Sequence, residues 1–495
     1  MQTEIVELLK QLGTGKMSAT AYDTAWVARL GGIDADLSNH ALEWLSENQL
    51  SDGSWGAEEP YYYHDRVIST LAAMIALTHR GRRARDRQQI DKGLLALEQI
   101  TSGATKGLMS DPNGATVGFE MVVPTLVAEA ENLGIIKQQG DRILGRIGQL
   151  RKIKLNTLRG KKINRHLTAA FSAEMAGMDG LGLLDVENLL ETNGSVGHSP
   201  SATAYYLFVI KPNDEKALGY LHQVVNSSDG VPDLFPFETF EANWVLWNLA
   251  LVENNWNEAV RKEFLRGLDI VKAAWHPKKG IGLSSEYTVP DGDDTLITHD
   301  LLARFDKAPD IKTIFAFEES DHFCAYPFEA HSSSSVNIHA MGTLKQAGFK
   351  SNSPVILKIK KYLQNSRNSA GYWFDKWNLS PYYTTAHAII VCAGYADHLV
   401  NQSVDWIVQT QNKDGSWGYQ FATAEETAYC IQALVIWKLH GGKVSSKTIK
   451  NAVSWLSNHV EPPYLPLWIG KGLYAPELIV RSTILSAMML AKEDY

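Results

Sequence analysis

One pattern, W-x4-Q-x2-D-G-S-W-G, occurs twice in this chain, from Trp44 to Gly56 and again from Trp406 to Gly418. A weaker echo runs from Glu191 to Ser195 (E-T-N-G-S). In each strong copy the Asp-Gly pair supplies a tight turn. The preceding Gln is in reach of backbone groups left open at a helix end, and the Trp can cover them. The segments between the turns carry a helical period: Val67, Leu71 and Ile75 share one face, and Ile431, Leu434, Val435 and Leu439 share another. Alternating strand patterns are scarce. Repeated helix–turn–helix units that bury their faces against neighbours predict an all-α solenoid, open or closed into a toroid. Two strong copies, one toward each end, predict two such barrels.

Composition narrows the functional classes. The chain has 495 residues, of which 45% are hydrophobic and 21% charged, as in ordinary soluble globular proteins. A formal net charge of -8 argues against a nucleic-acid partner. Cys324, Cys392 and Cys430 show neither metal-ligand spacing nor a disulfide framework, which fits a reducing cytoplasm. The N-terminus lacks the pattern of a signal peptide, and no apolar stretch is long enough to cross a bilayer.

The chemistry concentrates at Asp291-Gly292-Asp293-Asp294-Thr295. Alone, such a cluster reads as a solvated acidic turn or a metal loop. Crowded like charges raise a carboxyl pKa, and burial raises it further. A carboxylic acid that keeps its proton at neutral pH is a Brønsted acid, so this spacing suits proton donation. Thr295 reads as a cap or hydrogen-bond donor.

Other segments connect this cluster to a known family. Ser18-Ala19-Thr20-Ala21-Tyr22-Asp23-Thr24-Ala25-Trp26-Val27-Ala28, Val117-Gly118-Phe119-Glu120 with Pro124-Thr125-Leu126, Ser199-Pro200-Ser201-Ala202-Thr203-Ala204 and Trp468-Ile469-Gly470-Lys471-Gly472-Leu473-Tyr474 join D-x-D-D-T and the two Q-x2-D-G-S-W-G turns. Together they resemble the class II diterpene cyclases of the terpene cyclase superfamily over nearly the whole chain. Within that family the sequence is similar to the bacterial halimadienyl (tuberculosinyl) and kolavenyl diphosphate synthases. The resemblance implies two α-helical double barrels, called β and γ, with the active site between them. Residues 1–26, holding the first β helix, and 235–495 would form β, and 27–234 would form the inserted γ barrel. No D-D-x-x-D metal motif follows, since Ile297 occupies its fifth position. A diphosphate substrate should therefore keep its diphosphate, and a separate class I terpene synthase would act downstream.

The implied reaction protonates the terminal alkene of geranylgeranyl diphosphate and closes two rings through carbocations. The resemblance makes Asp293 the proton donor, with Asp291 and Asp294 orienting it. Trp373, Trp377, Tyr382 and Tyr383 form one aromatic-rich segment whose ring faces could line a cation path. Lys162, Arg165 and Lys471 are the basic candidates for diphosphate. Magnesium would accompany that diphosphate, and Asp111 is the one acid near the place where relatives carry an acidic metal cluster. The positions that hold a water as terminating base in ent-copalyl-type relatives correspond here to Ala173 and Asp233. Without that pair, early deprotonation is disfavoured, and a rearranged halimadienyl or kolavenyl (clerodane-type) skeleton is expected. The rival readings are a copalyl-type product, a drimenyl-type cyclase acting on farnesyl diphosphate, a squalene-hopene-like triterpene cyclase and a non-catalytic helical-repeat scaffold.

Overall fold

The computed structural model describes residues 1–80, 83–102, 114–137, 143–145, 147–158, 160–226, 230–327, 329 and 331–492. Its helices close into two rings. In the first, Glu238–Ala250, Gly292–Arg304, Ser334–Gln346, Pro381–Cys392, Ala424–Leu439 and Glu477–Lys492 each pack on the next, and the last returns to the first. These inner helices are buried nearly all round, and Pro381–Cys392 is buried at every position. A helix of that kind needs partners on all sides. The outer layer supplies them with one-sided helices: Gln2–Lys10, Glu258–Ala274, Pro354–Ser366, Asn401–Gln409 and Ser446–Leu456. Ser446–Leu456 buries only Ile449, Ala452 and Leu456, one stripe of a 3.6-residue period.

The second ring is smaller. Ala21–Ala28, Tyr63–Arg80, Phe119–Asn132, Thr168–Ala176 and Pro200–Tyr205 pack in that order and close on Ala21–Ala28. Ala35–Glu47, Ala84–Ser102, Ile147–Thr157 and Glu215–Asn226 cover the outside. Each ring encloses its own hydrophobic core. The chain passes from one core to the other between Leu12 and Ala21, ahead of the Trp26–Val27 division read from sequence. The reason is local: Ala21–Ala28 is one continuous helix, capped by the Thr20 hydroxyl on the Asp23 amide, and it packs as a unit. The return lies between Phe235 and Ala242, beside the division read at 234/235.

The turns between outer and inner helices repeat more often than the sequence motif does. The indole N–H groups of Trp55, Trp373 and Trp417 donate at 2.8 Å to the carbonyls of Leu45, Leu363 and Ile407, each ten residues upstream. Gln49 and Gln411 donate both to their own turn (Gly53 and Gly415 carbonyls) and to a carbonyl of the next outer helix, Gln89 or Thr448. The Glu191–Ser195 echo shares the turn itself: the Ser195 amide donates to Asn193 Oδ1 as the Ser54 and Ser416 amides donate to Asp52 and Asp414. Gly53, Gly371 and Gly415 stand at φ 91°, 103° and 97°, which favours glycine. Leu439 departs from expectation: it ends its helix 57% exposed.

A two-stranded hairpin, Trp468–Ile469 against Leu473–Tyr474, joins the rings. Its Gly470 carbonyl accepts from the Val117 amide, and its Leu473 amide donates to Asp65, both in the second ring.

Candidate active site

Asp291 begins the inner helix Gly292–Arg304 as its N-cap and accepts from the Asp293 and Asp294 amides at 2.7 and 3.0 Å. A carboxylate at a helix N-terminus satisfies orphan N–H groups and meets the positive end of the dipole. Gly292 is required between the acids, because a Cβ there would strike the Cys324 carbonyl. Thr295 Oγ1 accepts from the Ile281 amide at 3.1 Å, as a bonded turn residue does.

All three acids are buried. Burial, then the neighbouring Asp293 charge, push Asp291 up to about 6, against the Tyr326 hydroxyl and two amides that stabilise its anion. Burial, then the Asp291 charge, push Asp294 well above the usual carboxylate range, although the Asn243 amide donates to its Oδ1 at 2.8 Å. Burial and mutual repulsion thus favour the protonated forms of Asp291 and Asp294. An exposed acidic turn is excluded.

Asp293 faces a histidine pair. Its Oδ1 lies 2.6 Å from His339 Nδ1, and His339 Nε2 lies 2.9 Å from His387 Nδ1. Burial holds His387 well below the usual histidine range, so it is neutral. His387 Nε2 is buried with no partner. An N–H there would be an orphan donor, so the His387 proton belongs on Nδ1, donating to His339 Nε2. His339 then carries its own proton on Nδ1, aimed at Asp293. Trp247 stacks on His387 with ring centroids 4.4 Å apart. Trp244 meets His339 edge-on at 5.9 Å and donates its N–H to the Tyr383 hydroxyl at 3.0 Å. The hairpin adds Trp468, 5.2 Å from Tyr383 and 6.3 Å from Trp244. Consecutive inner helices thus surround one buried acid with aromatic faces and no exposed charge.

Several sequence candidates fall elsewhere. Of the four aromatics, only Tyr383 joins this wall. Trp373 is the turn tryptophan described above, Tyr382 stacks on Trp406 at 4.7 Å, and Trp377 carries the Lys376 ammonium over its ring at 4.8 Å. Lys471 is fully buried, and its ammonium donates at 2.7 Å to Glu174, Ser199 and Ser201. All three of its protons are taken, so it cannot bind a diphosphate. Lys162 is exposed, whereas Arg165 is half-buried and donates to the Leu190 carbonyl at 3.0 Å. Asp111 lies outside the described residues. Among the described residues no cluster of three His, Cys, Asp or Glu side chains is placed to hold a metal. Ala173 and Asp233 are both buried. Asp233 accepts from the Lys471 amide at 3.1 Å, and burial, then the Asp23 charge, push its pKa well above the usual range.

Sequence reasoning missed His339, His387, Trp244, Trp247, Asn243 and Trp468 as site residues. The available signal was a polar side chain inside an otherwise apolar helix, as in T-T-A-H-A-I-I-V around His387. That signal marks a buried polar group without saying what it faces. The three cysteines are free and buried, and no described helix is long and apolar enough to cross a membrane.

Residues 326–463 match the family model of the squalene-hopene cyclase C-terminal domain. The ent-copalyl diphosphate synthase from Streptomyces platensis superimposes with a TM-score of 0.81 at 25% identity, covering 99% of both chains. The ent-copalyl diphosphate synthase from Arabidopsis thaliana shares the fold, with a TM-score of 0.69 at 23% identity over 100% of this chain and 63% of that one. The type B diterpene cyclase of Mycobacterium tuberculosis is 48% identical over 488 residues, which cover 98% of this chain and 97% of that protein. With this similarity along its whole length, two closed helical rings and a buried D-x-D-D acid at the start of an inner helix, the chain belongs to the class II diterpene cyclases.

Proposed function

We propose that the chain converts geranylgeranyl diphosphate to a bicyclic diterpenyl diphosphate with a rearranged halimadienyl or kolavenyl (clerodane-type) skeleton, Asp293 being the proton donor. The observation that carries this reading is the 2.6 Å contact between Asp293 Oδ1 and His339 Nδ1 inside an aromatic wall. A donor on Oδ1 leaves the acidic proton on Oδ2 and stabilises the anion that remains once it has gone. The terminal alkene takes that proton, its π electrons form the new C–H bond, and the tertiary cation is attacked by the next alkene. A second closure gives the decalin cation. Trp244, Trp247, Tyr383 and Trp468 offer π faces that attract a cation without a lone pair to trap it. Asp291 and Asp294 position Asp293 through the helix start and the Asn243 bond.

Termination favours rearrangement. Ala173 has no polar group to hold a water. Burial, then the Asp23 charge, favour the protonated form of Asp233, which makes it a poor base. A cation that is not deprotonated early undergoes hydride and methyl shifts before losing its proton. The diphosphate takes no part, and of the three basic candidates Lys162 is the exposed one. The described donor set does not fit a magnesium ion held by protein alone, because no three His, Cys, Asp or Glu side chains among the described residues are placed to hold one, and one oxygen of each D-x-D-D acid is already bonded to the helix start, Asn243 or His339. Magnesium arriving on the diphosphate needs only one or two carboxylates, and Asp111 is the candidate.

Purified protein is incubated with geranylgeranyl diphosphate and magnesium, and the dephosphorylated product is identified by mass spectrometry against halimadienyl, kolavenyl and copalyl standards. Asp293→Asn should lower turnover roughly a hundred- to ten-thousandfold, the worth of a general acid. Turnover unchanged by that substitution removes Asp293 as the donor, and a copalyl product refutes the rearranged skeleton. Turnover of farnesyl diphosphate alone refutes the chain-length reading.

A further inference from the structure

Two buried glutamates stand side by side at the start of the inner helix Ala424–Leu439, and they differ in a way that folding alone does not explain. Glu426 is satisfied on both oxygens, accepting from Ser380 Oγ at 2.6 Å, Thr423 Oγ1 at 2.7 Å and the Tyr419 amide at 2.9 Å. Glu425 is not. Its Oε1 accepts from Trp468 Nε1 and from the Tyr429 hydroxyl, each at 2.9 Å. Its Oε2 is buried with no partner, and no lysine or arginine pairs with Glu425 among the described residues. A glutamine would accept the same two hydrogen bonds at Oε1 without a buried charge. An unpaired buried carboxylate is costly, so its presence calls for a compensating role.

The two donors show what that role is. Trp468 faces Tyr383 and Trp244, and Tyr429 meets Tyr383 at 5.5 Å and His387 edge-on at 5.7 Å. Both rings are therefore next to the side chains that bracket Asp293. Hydrogen bonds to an anionic acceptor are strong, and they pull the N–H and O–H protons outward and leave the rings richer in electron density. A richer ring face attracts a cation more strongly. Burial pushes Glu425 up to about 7, so a developing positive charge nearby favours its ionised form. We propose that Glu425 is a counter-charge of the cyclisation site, acting on the cationic intermediates through the rings of Trp468 and Tyr429. It is a positioning residue, because its free oxygen is buried and it acts through the rings of Trp468 and Tyr429. The inference rests on the cyclase reading above.

The test compares wild type, Asp293→Asn, Glu425→Gln and Tyr429→Phe with geranylgeranyl diphosphate, measuring kcat, KM, product ratio and melting temperature. Glu425→Gln should lower kcat about three- to thirtyfold, the rate equivalent of one cation–π contact. KM should stay within roughly twofold, since the side chains that bond Glu425 are Trp468 and Tyr429, neither of them a diphosphate candidate. The share of products formed from early, less rearranged cations should rise. Tyr429→Phe keeps the ring, removes the hydrogen bond and should shift the ratio in the same direction even if Glu425→Gln folds poorly. Wild-type kcat and product ratio in both folded variants overturn the inference while leaving the cyclase reading intact. A wild-type protein that consumes no substrate overturns the reading itself.

Discussion

Replacing His339 by Phe removes the hydrogen bond to Asp293 Oδ1 while keeping a ring of similar volume against Trp244 and Trp247. A hydrogen bond to a charged group contributes about 1.5–3 kcal/mol. If His339 stabilises the Asp293 anion that remains after proton transfer, most of that energy is present in the transition state and absent in the ground state. At about 1.4 kcal/mol per decade, kcat should fall roughly 10- to 150-fold. KM should not move, because His339 is buried and its side-chain contacts are Asp293, His387, Trp244 and Trp247, none of them a diphosphate candidate. The substitution also strands the His387 Nδ1 proton, which should cost about 1–3 kcal/mol of stability. His339→Asn, which retains a donor, should recover part of kcat. The assay is substrate consumption by liquid chromatography and mass spectrometry at saturating and sub-saturating concentration, with a thermal melt for each variant. A folded His339→Phe enzyme with wild-type kcat, or one changed only in KM, refutes the assigned role.

Three further outcomes are expected. Asp291 has a raised folded-state pKa, so the native state binds more protons than the unfolded state between about pH 4 and 6, and its contribution to stability falls as pH rises through that window, by up to about 3 kcal/mol; chemical denaturation across pH should show Asp291→Asn, still a good helix cap, losing that slope. Trp373→Phe should lower stability by about 1–3 kcal/mol through the orphaned Leu363 carbonyl and the lost packing, with an unchanged product ratio, whereas Tyr383→Ala should alter the ratio. Lys471→Met should destabilise the protein by about 3–5 kcal/mol, because it leaves Glu174 buried and uncompensated; a melt like wild type would contradict the buried ion pair.

The repeated turn made the architecture legible because its chemistry is local. Asp-Gly sets a left-handed turn, the tryptophan ten residues past a carbonyl covers it, and helical periodicity fills the interval. The same logic explains what was overlooked. The turn ending at Trp373 has no Asp-Gly-Ser, so its tryptophan read as a site aromatic although the backbone repeats the geometry. The acid triad was equally legible, because three carboxyls within four positions repel one another whatever surrounds them.

The surroundings of that acid came from elsewhere in the chain. Asp293 and His339 are 46 residues apart, His339 and His387 are 48 apart, and only the closing of the inner ring sets them within 3 Å of one another. Lys471 shows the reverse case, a basic residue in a Gly-Lys-Gly turn that reads as an anion ligand until the hairpin carries it into the interior against Glu174. Sequence alone determined that this chain builds two helical barrels and bears a crowded acid at a helix start, since turns, periodicity and like-charge repulsion act between near neighbours. The tertiary structure alone decided which histidines face that acid, which rings wall it and which charges are sealed away, since those contacts exist only once distant helices share a core.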